Sequence, residues 1–379
     1  MTLLTICITV FGRQDTVIAA ARQMLRSPRR DFEILIGDFS GEPDLLALFA
    51  RDQADPRINV IAPGRESGGP AQASQQSLCW NGMIPHAKGE WISIIGETDY
   101  ADPEICAVIE ATLKRLPQAD ALSWARATYV WPEARQGQEI ARIGTGSRLL
   151  LPEQKDMMQK LFYWADATDR PDCFFSAWHG AVRRSLLERT REAFSGVYFE
   201  QAAPEIDNLC KTVLMAGSMV FWERPMSVQG ALPVTGKAAA AETGTRLEGF
   251  PFSSATGATA GIALTIEAFK QRYGIELKDW EDNFIKACAH DCERAASGDR
   301  FHAMKAAYAA AITEWRGKRA LAAFKPEFKR NPKLPRFQGL RDQHLHFDMA
   351  MDQTQTAAEF YGLIDAMLFP VALLDDKLA

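Results

Sequence analysis

Residues 3–11 read Leu3-Leu4-Thr5-Ile6-Cys7-Ile8-Thr9-Val10-Phe11, a continuous apolar and β-branched run. Such a run marks a strand buried on both faces. Gly12-Arg13-Gln14-Asp15 ends it, and Val17, Ala20, Ala21, Met24 and Leu25 then recur at helical spacing up to Pro28. Phe32 to Gly37 is a second apolar strand, running out at Asp38-Phe39-Ser40-Gly41. A helix from about Asp44 to Arg51, a turn at Asp55-Pro56-Arg57 and a strand from Ile58 to Ile61 follow. Glu90 to Ile95 reads as a fourth strand, ended by Gly96 to Asp99, with a helix from Pro103 to about Leu116. Strands alternating with helices predict a parallel sheet of right-handed βαβ units. Ligands of such sheets bind beyond the carboxyl ends of the strands. The polar residues there, Asp38, Ser40, Glu97, Thr98 and Asp99, are the first site candidates.

Farther on, Leu122 to Val130 suits a strand, Glu205 to Ala216 a helix and Met219 to Trp222 a short strand. Residues 234–261 are rich in Gly, Ala, Thr and Ser, which predicts a long loop or linker. Beyond it the pattern is helical, with Phe301, Met304, Tyr308, Ile312 and Trp315 on one face, and a last helix over about 355–368. The 379 residues are enough for two domains, placed at 1–232 and 233–379. Apolar residues at 47% and charged residues at 24% exclude a mainly disordered chain, a collagen-like repeat and a small disulfide scaffold. A net charge of −5 gives no support to a nucleic-acid binder. Seven widely spaced cysteines predict reduced thiols and a cytoplasmic setting. The apolar N-terminus lacks a preceding basic segment, so it reads as a strand and not a signal peptide.

The order of N-terminal motifs resembles the GT-A fold glycosyltransferases of family 2, over about residues 1–230. Ile8-Thr9-Val10-Phe11-Gly12-Arg13 stands where that family has a strand ending in Pro-x-Tyr-Asn-Arg. Glu33-Ile34-Leu35-Ile36-Gly37-Asp38 resembles its second strand, and Asp55-Pro56-Arg57-Ile58 the start of its third. Ala87-Lys88-Gly89-Glu90-Trp91-Ile92 resembles the opening of the fourth, with Pro103-Glu104 after it. Gly180 to Leu187 is similar to the acceptor-side segment, and Glu205-Ile206-Asp207 with Lys211 to an Asp-Tyr-Asp-Leu-x-x-Arg helix. The sequence departs from the family at its Asp-x-Asp, where Gly96 and Thr98 stand. The acidic pair, Glu97 and Asp99, is displaced by one residue. Gly12 replaces the Asn of the first loop.

The resemblance implies an α/β fold of GT-A (Rossmann-like) type, a mostly parallel sheet flanked by helices, followed here by a mainly helical C-terminal region. It implies an inverting transferase taking a nucleotide-diphosphate sugar, a UDP-sugar first, to a saccharide or lipid-linked acceptor in bacterial surface polysaccharide synthesis. Its nucleotide site would comprise Thr9, Phe11, Arg13, Asp38, Ser40 and Thr98, with Asp38 accepting a hydrogen bond from a uracil-like base. Glu97 and Asp99 would hold a divalent cation, Mn or Mg, to neutralise the departing diphosphate. Glu205 would take the acceptor's proton, with Asp207 as runner-up, and Trp178 and His179 would meet the acceptor.

Each of these residues has a plainer reading. Asp38 could cap the following helix, Glu97 and Asp99 could form a solvated turn, and Glu205 could complement a helix dipole. The bases Lys325, Lys329, Arg330, Lys333, Arg336 and Arg341 suit a diphosphate clamp, or a solvated linker or membrane-surface patch. His344 and His346 would face one side of a strand, as metal ligands or as a surface polar pair, and Cys288, His290 and Cys292 do not share one helix face as zinc ligands would. A sugar nucleotidyltransferase would need a Gly-rich basic loop after the first strand, which Gly12-Arg13-Gln14-Asp15 does not supply. A non-catalytic GT-A module, binding sugar nucleotide or a partner glycosyltransferase, is the alternative from another class. The C-terminal helices are left three roles: capping the acceptor cleft, forming an oligomer, or resting on the inner membrane face.

Overall fold

Residues 3–11 form β1 (Leu4–Val10), and all seven strand residues are buried. The computed structural model describes residues 2–41, 45–62, 74–135, 137–232, 247–328 and 337–373. After β1 come α1 (Gln14–Leu25), β2 (Phe32–Asp38), α2 (Leu45–Gln53), β3 (Ile58–Ile61) and α3 (Gln75–Met83). Then follow β4 (Trp91–Gly96), β5 (Tyr100–Ala101), α4 (Ile105–Arg115) and β6 (Ala121–Val130). The middle of the chain adds β7 (Ile140–Gly144), β8 (Leu149–Leu150), α5 (Gln154–Phe162), β9 (Gly180–Arg183), α6 (Arg184–Ala193), α7 (Pro204–Met215) and β10 (Met219–Ala231). The last part carries α8 (Ala258–Arg272), α9 (Glu281–Glu293), α10 (Gly298–Arg316), β11 (Gly339–Arg341), β12 (His344–Asp348) and α11 (Ala357–Met367).

The strands β3-β2-β1-β4 pair in parallel. The sheet continues through β9, antiparallel to both β4 and β6, and then β10, parallel to β6. Successive side chains of a strand point to opposite faces, and here the two faces feed two cores. Leu4, Ile6, Ile8 and Val10 enter one with Val17 of α1, Ile105 of α4 and Phe360 of α11. Cys7 enters the other with Trp80 of α3, Leu209 of α7 and Phe284 of α9. A mostly parallel sheet between two helical layers, followed by a helical region, is the GT-A-like arrangement that the resemblance implies.

Two expectations change. The strand expected over Met219–Trp222 runs on to Ala231, its pairing with β6 shifting register between Trp222 and Ser227. Pro225 falls in that irregular stretch, where a strand tolerates a residue without an N–H. The loop expected over 234–261 gives way to helix α8 at Ala258, while residues 233–246 lie outside those described. Packing is also continuous across 232, because both cores contain residues from either side of it. All seven cysteines are buried and unpaired. Among the described residues no helix is long and apolar enough to cross a membrane.

Candidate active site

A cavity of about 450 Å³ lies between β6, β10, α7 and the segment before β9. Trp124 and Arg126 of β6, Trp178 and His179 before β9, and Glu205 and Leu209 of α7 line it. Phe221 and Gln229 of β10, Ile262 of α8 and Arg170 complete most of the wall. Much of that wall is apolar, so a charged group inside it lacks the solvation of bulk water.

Glu205 follows Pro204 in the first turn of α7. One of its carboxylate oxygens, Oε2, is buried and has no hydrogen-bond partner. Burial pushes the carboxyl above its ordinary range, against its own backbone N–H and the Arg126 charge, which pull the other way. A poorly solvated carboxylate beside a cavity, with one oxygen unpartnered, is a candidate proton acceptor. Asp207 is placed differently. It is fully buried, and its Oδ2 accepts from Lys211 Nζ at 2.9 Å and from the Glu200 backbone N–H at 3.0 Å. It does not line this cavity.

Trp178 stacks on Trp80 with ring centroids 5.6 Å apart and presents a half-buried surface to the cavity. His179 is buried, with a left-handed backbone at φ 50°. Its Nε2 lies 3.1 Å from Asp99 Oδ2 and its Nδ1 lies 2.9 Å from Ser227 Oγ, which accepts from Trp124 Nε1 at 2.8 Å. Trp124 can only donate and an ionised Asp99 can only accept. Nε2–H therefore donates to Asp99, and the Ser227 hydroxyl, which accepts from the indole, is in reach of Nδ1. His179 thus lends the cavity a wall, with both ring nitrogens engaged.

Asp99 is accordingly filled. Its Oδ2 also accepts the Gly96 N–H at 2.8 Å, and its Oδ1 accepts the Gly230 N–H at 2.8 Å. Burial would raise its pKa, but His179 and the Gly230 and Gly96 N–H groups overcome that and hold it below the ordinary value. Gly230 permits this approach: a Cβ there would sit 2.2 Å from the Thr98 carbonyl oxygen. Glu97 turns elsewhere. Its Oε2 accepts the backbone N–H groups of Phe11, Gly12 and Arg13 at 2.8, 2.9 and 2.9 Å, closing the loop that leads into α1. The two acids expected to share a cation are each taken by donors of different segments. Among the described residues no group of three or more His, Cys, Asp or Glu could hold a metal ion.

The expected nucleotide residues divide. Thr9 is buried in β1, with its hydroxyl directed to the Ile95 carbonyl at 3.4 Å, so it offers a ligand nothing. Thr98 directs its hydroxyl to the Gly230 carbonyl at 3.4 Å, and its own carbonyl accepts from Trp131 Nε1 at 3.2 Å. Arg13 pairs with Glu133 at 2.6 Å over the Trp131 ring. Asp38, Ser40 and Phe11 do come together at the strand ends. Asp38 Oδ1 accepts the Ser40 N–H and hydroxyl at 2.9 and 2.6 Å, and Oδ2 accepts Gln14 Nε2 at 3.0 Å. Beside them Phe11, 38% exposed, leans on Phe39 with ring centroids 6.0 Å apart.

Sequence reasoning missed Arg126 and Arg170. Arg126 carries a signal, as the charged residue in the middle of the Leu122–Val130 strand. Arg170 lies in a loop without one. Of the expected basic segment, Lys325 and Arg341 are described, whereas Lys329, Arg330, Lys333 and Arg336 lie outside the described residues. His344 and His346 lie on β12, where His346 meets the Phe337 ring. Cys288 and Cys292 are buried, and exposed His290 pairs with Glu293.

No protein-family model matches this chain, and no curated protein does. Solved structures with a similar chain path include S. aureus TarS 1-349 in complex with UDP-GlcNAc. It is 13% identical, over 90% of this chain and 100% of that one, with a TM-score of 0.47. The mannosyltransferase PcManGT from Pyrobaculum calidifontis, in complex with GDP-Man and Mn2+, is 15% identical over 84% and 74% of the chains, with a TM-score of 0.37. Glucosyl-3-phosphoglycerate synthase from Mycobacterium tuberculosis, in complex with Mn2+, UDP and glucosyl-3-phosphoglycerate, is 12% identical over 73% and 82%, with a TM-score of 0.40. At these values the likeness is distant, and the functional reading rests on this chain's own residues.

Proposed function

We propose that this chain is an inverting glycosyltransferase. It moves a sugar from a nucleotide-diphosphate donor, a UDP-sugar in first place, to a saccharide or lipid-linked acceptor in bacterial surface polysaccharide synthesis. That acceptor class goes with a cytoplasmic protein working at the inner membrane face. The observation that carries the reading is Glu205, which lines the cavity and whose Oε2 is buried without a hydrogen-bond partner. In the reaction, the acceptor oxygen forms a bond to the sugar C1 as the C1–O bond to the diphosphate breaks. The acceptor's proton passes to Glu205 and the nucleoside diphosphate leaves with the electron pair. Trp178 supplies a flat apolar face for a sugar ring, and the Phe11, Asp38 and Ser40 cluster supplies a ring and a fixed carboxylate for the base.

The resemblance also implies a divalent cation. Its expected ligands do not come together for one, because Asp99 is filled on both oxygens and Glu97 is turned away, its Oε2 held by three backbone donors. No step is therefore routed through a metal. The same observation favours the second reading, a non-catalytic module that binds sugar nucleotide or a partner glycosyltransferase.

Calorimetric titration with UDP, against GDP and with or without manganese, tests the donor class. UDP binding that needs no manganese is expected. Asp38→Ala should weaken it by about 1–3 kcal/mol, the range for a lost hydrogen bond to a charged group. Unchanged affinity in that variant removes Asp38 from base recognition. Binding of neither nucleotide counts against the transferase.

A further inference from the structure

The cavity around Glu205 contains two guanidinium groups that a proton acceptor does not require. Arg126 projects from β6 into the wall, with its guanidinium carbon 5.7 Å from the Phe174 ring centroid. Among the described residues no carboxylate lies within ion-pair distance of it, Glu205 included. Burial lowers its pKa, the like charge of Arg170 lowers it further, and Asp99 and Glu205 act in the opposite sense from a distance. Arg170 is more exposed and touches Asp169 at 3.5 Å, but that carboxylate is held more closely by Arg294, at 2.8 Å. Two like charges thus line one partly apolar cavity, and of the two only Arg170 touches a carboxylate, that of Asp169. A guanidinium seldom stands unpaired in such surroundings, since removing it from water is costly and its fork of donors matches an oxyanion.

We propose that Arg126 and Arg170 form an anion subsite that grips a phosphate or carboxylate group of a substrate opposite Glu205. The inference rests on the transferase reading only for which substrate supplies the anion. One source is the donor's diphosphate, for which the arginines would supply the positive charge that Glu97 and Asp99 are not arranged to supply through a metal. The other is an acidic group on the acceptor. In either case the subsite fixes the substrate against Glu205.

The probes are inorganic pyrophosphate and phosphate, titrated into the full chain and followed by calorimetry. Pyrophosphate or phosphate should bind the wild type. Binding should fall by about tenfold or more in Arg126→Gln and in Arg170→Gln, and by less in Arg126→Lys, which keeps the charge but loses the fork. Arg170 is exposed, so its variant separates loss of binding from loss of folding. Absence of anion binding to the wild type, or binding that both glutamine variants preserve, overturns the subsite.

UDP and uridine, titrated in parallel, identify the source. If both variants weaken UDP but not uridine, the anion is the diphosphate. If UDP is untouched while phosphate binding is lost, the anion belongs to the acceptor. Arginine-dependent phosphate binding by a protein that takes no nucleotide would keep the subsite and reject the transferase.

Discussion

Glu205 and Asp207 stand two residues apart on one helix, both with a pKa raised by burial and each with one unpartnered buried oxygen, but only Asp207 is held by a lysine. A helix turns about 100° per residue, so side chains two apart point about 200° from one another. The sequence motif offers both acids, and the helical period decides between them: Glu205 reaches the cavity and Asp207 reaches Lys211. The same distinction was legible for Asp38, whose place at a strand end follows from the apolar run before it. It was not legible for Glu97 and Asp99, because their partners, the Phe11–Arg13 backbone, His179 and Gly230, come from distant segments. At this scale the raised pKa of Glu205 has a kinetic consequence. A base must be deprotonated to act, so transfer should rise with pH through a pKa above the ordinary carboxylate value. A pH profile of kcat/KM checks this. An acidic limb at the ordinary value, or one that survives in Glu205→Gln, would show that another group titrates.

Helix α7 owes its position to buried charge. Lys211 lies 2.9 Å from Asp207 and 3.1 Å from Glu200, and none of the three side chains is exposed. Arg272 and Tyr273, at the end of α8, reach Glu200 as well. Burial raises Asp207, and Lys211 is the main opposing influence. Lys211→Met would leave two carboxylates in the interior with one exposed arginine between them. The expected loss is about 3–5 kcal/mol in denaturant unfolding, the cost of orphaning a buried charge. A variant as stable as the wild type would mean that the cluster does not anchor α7.

The elements differ in how well they could be read for physical reasons. Strands β1, β2 and β4 are unbroken apolar runs. The second half of β10 is interrupted by Glu223, Arg224 and Pro225, and β5 and β8 have two residues each, too few to show a period. Helix α8 opens in an Ala-, Gly- and Thr-rich stretch that resembles a linker and is held as a helix by packing on α7 and α9.

Across the whole molecule the C-terminal region is part of the same packed body as the sheet. Ile262 of α8 forms part of the cavity wall. At the far side Arg224, 1% exposed, ties the irregular stretch of β10 to α11. Its guanidinium donates to the Phe369 and Pro225 carbonyls at 2.7 and 3.0 Å and to the Tyr361 hydroxyl at 3.1 Å, and it pairs with Asp365. Arg224→Ala should lower stability by about 2–4 kcal/mol, through orphaned carbonyls and a detached helix. Thermal unfolding would show it as a reduced Tm, and an unchanged Tm would mean that α11 is held by its apolar face alone.

The central claim joins these scales: a carboxylate on α7, set in a cavity closed by sheet and C-terminal helix, removes a proton during sugar transfer. The direct measurement compares wild type and Glu205→Gln for nucleoside diphosphate release from UDP- and GDP-sugars, alongside calorimetric affinity for the nucleotide. The account predicts turnover lower by about 10²- to 10⁴-fold, the usual contribution of a positioned base, with nucleotide affinity nearly unchanged. Full turnover in the glutamine variant, or no turnover of any nucleotide sugar by the wild type, would contradict it.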